Sequence, residues 1–319
     1  MSRVGLVLGG GGITGAAFQI ASLMALELAC DWEASRSDVV VGTSGGAYVA
    51  SLVRSGKLDL DSLVLPHEDP DQVAERIRRQ IFVSAPGLHL GRWVRNGVLP
   101  SLRQPGVTAL MGSPARYSPR GIAGWVREQI GVGADTWPER PTVIAAYDVS
   151  GRRRAGFGSV SAPEASLADA VAASSAIPLL FHPHVISGRA YVDGGVASGT
   201  HLDLVLGSVD PLDLIVVIAP MAAEEGRSGA WPHERLLDRV GRRSLRDEKA
   251  AVLSAWPHTE VLVLRPPPAV LAVMRPNPMA PDAAVPTFAR TLIAMKRQLA
   301  ETHTWGVLTR HLAGREIPA

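Results

Sequence analysis

The sequence predicts an α/β fold built on a mostly parallel, doubly wound or mixed sheet. Five short apolar runs carry that expectation: Val4–Leu8, Val39–Val41, Thr142–Ala146, Leu214–Ala219 and Val261–Leu264. Their unbroken hydrophobicity is that of strands buried on both faces. Helix-compatible stretches separate them, as alternating β and α units require. Composition is the third observation: apolar residues make up 46% of the 319 residues and aromatics only 5%. The core is therefore mostly Ala, Val, Leu and Ile, which suits small-residue helices lying close on a sheet.

Along the chain, the first helix is expected in "GAAFQIASLMALELACDW", with Phe18, Leu23 and Leu26 as its inward stripe. Arg189–Val192 is a candidate sixth strand. Residues 57–140 are punctuated by Pro and Gly and lack regular apolar periodicity, so they read as a helical insertion or cap within a single domain. Residues 220–258 are charged and read as helical on the outside. A Pro-rich stretch leads into a last helix from about Asp282, where Phe288, Leu292, Met295 and Leu299 recur at spacings of three and four. Residues 281–313 thus form a C-terminal helical segment.

Net charge is +2, from 32 basic and 30 acidic residues, and gives no global signature of nucleic-acid binding. Cys30 is the only cysteine, which excludes an internal disulfide and a cysteine zinc site. The apolar stretch at the N-terminus runs into glycines instead of a cleavage site. No stretch approaches the roughly 18 apolar residues that span a bilayer. A cytoplasmic protein is expected, with peripheral membrane contact left open.

"DVVVGTSGGAYVAS" (38–51) places Gly42, Thr43, Ser44, Gly45 and Gly46 between an apolar run and an Ala-rich one. A sharp strand-to-helix turn needs small neighbours, because two backbones approach there. Its apical serine would sit at a helix N-terminus, where N–H groups and the helix dipole favour developing negative charge. A Gly-rich turn capped by Ser44 has the same local pattern. "LGGGGITGAAF" (8–18) also follows a strand, and Gly10, Gly12 and Gly15 satisfy the dinucleotide spacing. A nucleotide site needs an acid at the end of the second strand. That strand ends in Gly42-Thr43-Ser44, and Asp38 stands at its other end, so the nucleotide reading fails. The remaining chemical use of bare N–H groups is an oxyanion hole; helix–sheet packing alone is the other use of such a loop. For a base, Asp193 precedes Gly194 and Gly195, a pattern also common in plain turns. His182, His184, His303 and His311 compete with it.

Three ordered segments, "GGGITG" (10–15), "GTSGG" (42–46) and "DGG" (193–195), together with "ASSAIPLLFHP" (173–183), resemble the patatin-like phospholipases. The resemblance covers roughly residues 1–56 and 142–220. It implies a three-layer α/β/α sandwich and a Ser–Asp dyad, with Ser44 as nucleophile and Asp193 as base. It implies an oxyanion hole from Gly10, Gly11, Gly12 and Gly45. Gly15, Gly42, Gly46, Gly194 and Gly195 would support the motifs, and no metal or organic cofactor is required. Acyl-ester hydrolysis through an acyl-serine is the expected reaction, on lipid or other acyl-ester substrates. Two positions depart from the pattern. Thr14 stands where the family usually has an arginine, and "VASGTHLDL", with His201, replaces an Asn/Pro-containing stretch. A carboxylesterase or acyltransferase with the same dyad, or a silent lipid-binding relative, are the alternatives. Trp93, Val94, Val98, Leu99 and Leu102, with Arg92, Arg95 and Arg103, are candidates for an apolar, basic surface.

Overall fold

The computed structural model describes residues 2–58, 68–85, 87, 90–101, 113–160, 162–207 and 209–312. An eight-stranded sheet forms its centre: β1 (Val4–Leu8), β2 (Val39–Thr43), β3 (Thr142–Asp148), β4 (Arg153–Phe157), β5 (His184–Ile186), β6 (Arg189–Asp193), β7 (Leu214–Ile218) and β8 (Glu260–Leu264). The order is β5-β6-β3-β2-β1-β7-β8, with β4 also paired to β3. The five expected apolar runs are β1, β2, β3, β7 and β8, and they run parallel. β4, β5 and β6 join antiparallel. β4 and β5 lacked an apolar signature: β4 exposes Arg153 and Arg154, and β5 is three residues long.

Alternation along each strand divides the core between two helical layers. Leu6 and Leu8 of β1, Val40 of β2, Ile144 of β3 and Val216 of β7 face one side. Against them lie α1 (Gly12–Cys30), α2 (Gly45–Ser55), α4 (Arg120–Ile130), α5 (Leu167–Ser174), α7 (Pro268–Met274), α8 (Ala284–Leu299) and α9 (Thr302–His311). Val7, Val41, Val143 and Val217 face the other side, where α6 (Pro232–Ala255) contributes Leu245 and Val252. The result is a three-layer α/β/α sandwich.

Within residues 57–140 the described helices are α3 (Pro70–Ile81), a helical stretch over 90–101, and α4. In the 90–101 stretch Val94 and Leu99 are exposed and Trp93 and Val98 half-buried; Leu102, Arg103 and the Arg92 side chain lie outside the described residues. The expected last helix is two, α8 and α9. Its inward stripe holds Met295 and Leu299 as foreseen, but Thr287 and Thr291 complete it, and Phe288 and Leu292 lie half-buried beside them. Thr291 can be buried because its hydroxyl donates to the Thr287 carbonyl, 2.7 Å away.

One expectation is corrected by α1. Its 19 residues have a mean hydropathy of 1.5, long and apolar enough by composition to cross a bilayer. Here it is a core helix, with Phe18, Leu23 and Leu26 fully buried on the sheet.

α2 is fixed at its far end by Arg54. That guanidinium donates to the carbonyls of Ser35 (2.8 Å), Ser37 (2.9 Å) and Pro141 (2.8 Å) and to the Thr142 hydroxyl (3.0 Å). It thereby ties the helix to the entries of β2 and β3. With each bond worth about 1 kcal/mol, Arg54→Ala is expected to lower unfolding stability by about 2–4 kcal/mol in urea titration. An unchanged midpoint would remove this tie from the account.

Candidate active site

β2 ends at Thr43, and the chain turns at once into α2. Ser44, at the apex, has φ 54° and ψ −123°. A non-glycine residue in that region is strained and persists only where its surroundings hold it. The Ser44 N–H donates to the Ser174 hydroxyl at 2.8 Å, and that hydroxyl donates on to the Ala145 carbonyl at 2.6 Å. The flanking glycines permit the turn by close approach. A Cβ on Gly46 would lie 2.1 Å from the Leu8 carbonyl oxygen, and one on Gly42 2.7 Å from the Ala47 Cα.

Asp193 reaches Ser44 through the sheet. β2 pairs with β3 up to Thr43–Ala145, and β6 pairs with β3 from Ala146–Asp193 onward. β4 occupies the opposite edge of β3. β2 and β6 therefore share one edge end to end, and Asp193 arrives where β2 stops. Ser44 Oγ donates to Asp193 Oδ2 at 2.7 Å, and the Gly195 N–H donates to Oδ1 at 2.7 Å. Gly194 packs on Ala145 so tightly that a Cβ would lie 2.4 Å from its carbonyl oxygen. Both side chains are buried, Ser44 at 4% and Asp193 at 5% exposure. Burial pushes the Asp193 carboxyl up from 3.8 to about 6, against the smaller lowering by its bonds to Ser44 and Gly195.

The glycine loop lies beside this pair. A Cβ on Gly10 would be 3.5 Å from that of Ser44, and one on Gly45 2.4 Å from the Gly12 carbonyl oxygen. Gly12 has φ 62°, a conformation that favours glycine. Gly10 departs from the expected donor set: its N–H donates to the Gly199 carbonyl at 2.7 Å. The N–H groups of Gly11, Gly12 and Gly45 donate to no other described residue, so three of the four expected amides are open. Gly15 donates to the Gly11 carbonyl and packs on Pro220. The arrangement offers a hydroxyl bonded to a buried carboxylate, next to open amides.

Thr14, where the resemblance expects arginine, is fully buried. Its N–H donates to the Pro278 carbonyl at 3.1 Å, and its hydroxyl reaches the carbonyls of Met274 (3.3 Å) and Pro278 (3.4 Å). The loop is therefore held against the end of α7 and the Pro-rich segment after it through long neutral bonds.

The histidines do not meet the serine. His184 begins β5 and lies 3.0 Å from Asp169. His311 bonds Glu260 and Ser2, at the opposite end of the parallel strands. His303 is exposed. His201 is fully buried, with Nδ1 3.1 Å from the Thr43 hydroxyl, and burial lowers it to about 3. Asp38 accepts from the Val4 N–H at 2.7 Å, which explains its place before β2.

Sequence reasoning missed the supporting residues. Gln19 of α1 donates to the Gly9 carbonyl. Glu248 of α6 is buried and accepts from the Ser198 hydroxyl, the Thr200 hydroxyl (2.7 Å) and the Leu202 N–H (2.8 Å). It fixes the 198–202 loop, whose Gly199 carbonyl holds Gly10 and whose His201 holds Thr43. A buried carboxylate more than four turns into a charged helix has no marker in sequence.

The raised Asp193 value has a consequence for stability. Between pH 3.8 and about 6 the folded state binds the proton that the unfolded state releases, so stability falls as pH rises through this window. By neutral pH the loss is about 3 kcal/mol. Asp193→Asn carries no charge and keeps a similar shape. Its thermal midpoint should exceed the native one at pH 7–8, and the difference should vanish below about pH 4. A variant less stable than the native chain at pH 8 would contradict the assigned burial.

The patatin-like phospholipase family profile matches residues 6–206, well over half of the chain. No curated protein matches it. Among solved structures, VipD from Legionella pneumophila aligns at 12% identity and a TM-score of 0.38, over 94% of this chain and 67% of VipD. The type III effector protein ExoU aligns at 19% identity and a TM-score of 0.31, over 94% of this chain. The chain spans about half of ExoU, 54% of its length. With its three glycine-bearing motifs gathered at one end of the parallel strands, the chain belongs to the patatin-like phospholipase family.

Proposed function

We propose that this chain is a serine acyl hydrolase that cleaves lipid acyl esters, with Ser44 as nucleophile and Asp193 as general base. The observation that carries the reading is the 2.7 Å bond from Ser44 Oγ to a buried carboxylate at a left-handed elbow. Ser44 Oγ attacks the ester carbonyl carbon as its proton passes to Asp193 Oδ2. The carbonyl oxygen becomes negative facing the N–H groups of Gly11, Gly12 and Gly45, each donor lowering the barrier by about 3 kcal/mol. The tetrahedral centre collapses, and protonated Asp193 returns its proton to the leaving alkoxide. Water then attacks the acyl-serine with Asp193 again as base, releasing the acid and restoring Ser44. A carboxyl near pH 6 suits both directions of transfer.

A cavity of about 190 Å³ opens beside Ser44, walled by Ile13, Tyr48, Ile77, Trp125, Ile177 and Phe288. The lining is mostly apolar, its one charged side chain being Arg76, which is paired with Glu68, and it suits an acyl chain. This favours lipid esters over polar ones. An apolar cavity of about 150 Å³ holds a six-carbon ring, so this one holds about eight carbons.

Fluorophosphonate labelling is the first test: the native chain should label and Ser44→Ala should not. Hydrolysis of a nitrophenyl ester should fall about 10³-fold or more in Ser44→Ala and about 10²–10⁴-fold in Asp193→Asn. Native kcat/KM should rise with pH through about 6, as Asp193 loses its proton and becomes able to accept one. Equal rates in all three proteins would leave the silent lipid-binding relative as the better reading.

Acyl length provides a separate measurement. Specificity for nitrophenyl esters should climb about fourfold per methylene, at about 0.8 kcal/mol each, and level off near eight carbons. A flat profile from acetate onward would detach the cavity from the reaction.

A further inference from the structure

Helix α6 carries an outward face that neither the fold nor the dyad uses. Its inward side is accounted for: Asp238 pairs with Arg275, Glu234 with Arg227, and Glu248 holds the 198–202 loop. On the outward side Leu236 (56% exposed), Leu237 (44%) and Val240 (55%) stand in solvent, and Trp231 (60%) is exposed at the helix start. Arg235, Arg239, Arg243 and Arg246 are exposed beside them. At 100° per residue, Leu236, Val240 and Arg243 share the middle of that face, with Arg235, Arg239 and Arg246 along one flank.

Arginine predominates on this face. Arg54, Arg76, Arg127, Arg154 and Arg275 elsewhere in the chain are taken up by carboxylates or carbonyls. Among the described residues no carboxylate lies within 4.0 Å of Arg235, Arg239, Arg243 or Arg246. Asp247 shares the middle of the face as its one exposed carboxylate, against four arginines. Apolar side chains interleaved with unpaired arginines on a helix match an interface of acyl chains beneath anionic head groups.

Position agrees with that assignment. The first half of α6 is fastened to the rim that carries the serine. A Cβ on Gly241 would lie 2.1 Å from the Met221 carbonyl oxygen, just beyond the end of β7, and Arg242 donates to the Ala223 carbonyl. Pro220, at the start of that segment, packs on Gly11 and Gly15. Asp238 holds Arg275, in the segment whose Pro278 overlies Gly12.

We propose that the Trp231–Arg246 face of α6 docks this protein on an anionic lipid surface. The choice of lipid as occupant rests on the acyl-ester hydrolase reading above.

Co-sedimentation with vesicles tests it, comparing phosphatidylcholine alone with phosphatidylcholine containing about 30% phosphatidylglycerol. The native chain should partition onto the anionic vesicles and not the neutral ones, and salt should weaken the binding. Each arginine near the surface is worth about fivefold in partitioning, so Arg239→Gln with Arg243→Gln should lower it about 25-fold. Leu236→Ser with Val240→Ser should lower it at least about tenfold. All these side chains are exposed, so thermal midpoints should stay at the native value. Ser44→Ala should bind vesicles as the native chain does, which separates docking from catalysis. Vesicle binding without fluorophosphonate labelling would sustain the docking face and sink the hydrolase. Binding unchanged by both double variants, or equal on neutral vesicles, would overturn the docking proposal. So would a native dimer in light scattering that Leu236→Ser with Val240→Ser dissociates, because the face would then belong to a second copy.

Discussion

Strand β3 has two hydrogen-bonding edges and three partners, and the geometry of the site follows from how those edges are divided. β4 takes one edge. β2 takes the other along Val40–Thr43, and β6 takes the remainder from Ala146. β2 cannot continue past Thr43, because β6 is there. The chain must leave the sheet, and it leaves through a serine forced to positive φ. The same competition delivers the last residue of β6, Asp193, to that point. Ser44 and Asp193, 149 residues apart in sequence, meet because two strands meet end to end on a third.

Holding the elbow in place requires anchorage on every side, and its sources are spread over the chain. Ser174 takes the Ser44 N–H and passes a hydrogen bond to Ala145. Arg54 fixes the far end of the helix that the serine begins. Glu248 reaches through the opposite layer to set the 198–202 loop, which in turn holds Gly10 and Thr43. Burial raises the Glu248 carboxyl, offset in part by the donors from Ser198, Thr200 and Leu202. These contacts keep Ser44 in a conformation that costs about 1–3 kcal/mol.

This division explains what the sequence made legible. The five parallel strands announced themselves, because a strand buried on both faces must be apolar throughout. β4 and β5 were silent: β4 is an antiparallel edge strand that tolerates Arg153 and Arg154, and β5 is only three residues long. Ser44, Asp193 and the glycine loop were readable because close backbone approach leaves glycine as a local mark. Which amides stay open was not readable: Gly10 looks like Gly11 in sequence and is distinguished only by the carbonyl of Gly199. Gln19, Ser174 and Glu248 were equally hidden, for each acts on a segment distant in the chain. Thr14 was legible as a departure from the family pattern but not as a hydroxyl seated on Met274 and Pro278.

The dyad proposed here contains no histidine, and burial is consistent with that choice. The two titratable groups flanking the Thr43–Ser44 peptide, Asp193 and His201, are both nearly free of solvent. Low dielectric disfavours whichever form is charged, so it acts on them with opposite sign. The carboxyl moves up from 3.8 to about 6 and becomes the stronger base, while the imidazole moves down from 6.5 to about 3 and becomes the weaker one. In water the histidine would be the better proton acceptor of the two; in this interior the order is reversed. In the proposed reaction, the environment that raises Asp193 toward a useful base for Ser44 lowers the neighbouring histidine out of that role. His201 instead hydrogen-bonds the Thr43 hydroxyl, and in the proposed reaction the proton goes to Asp193.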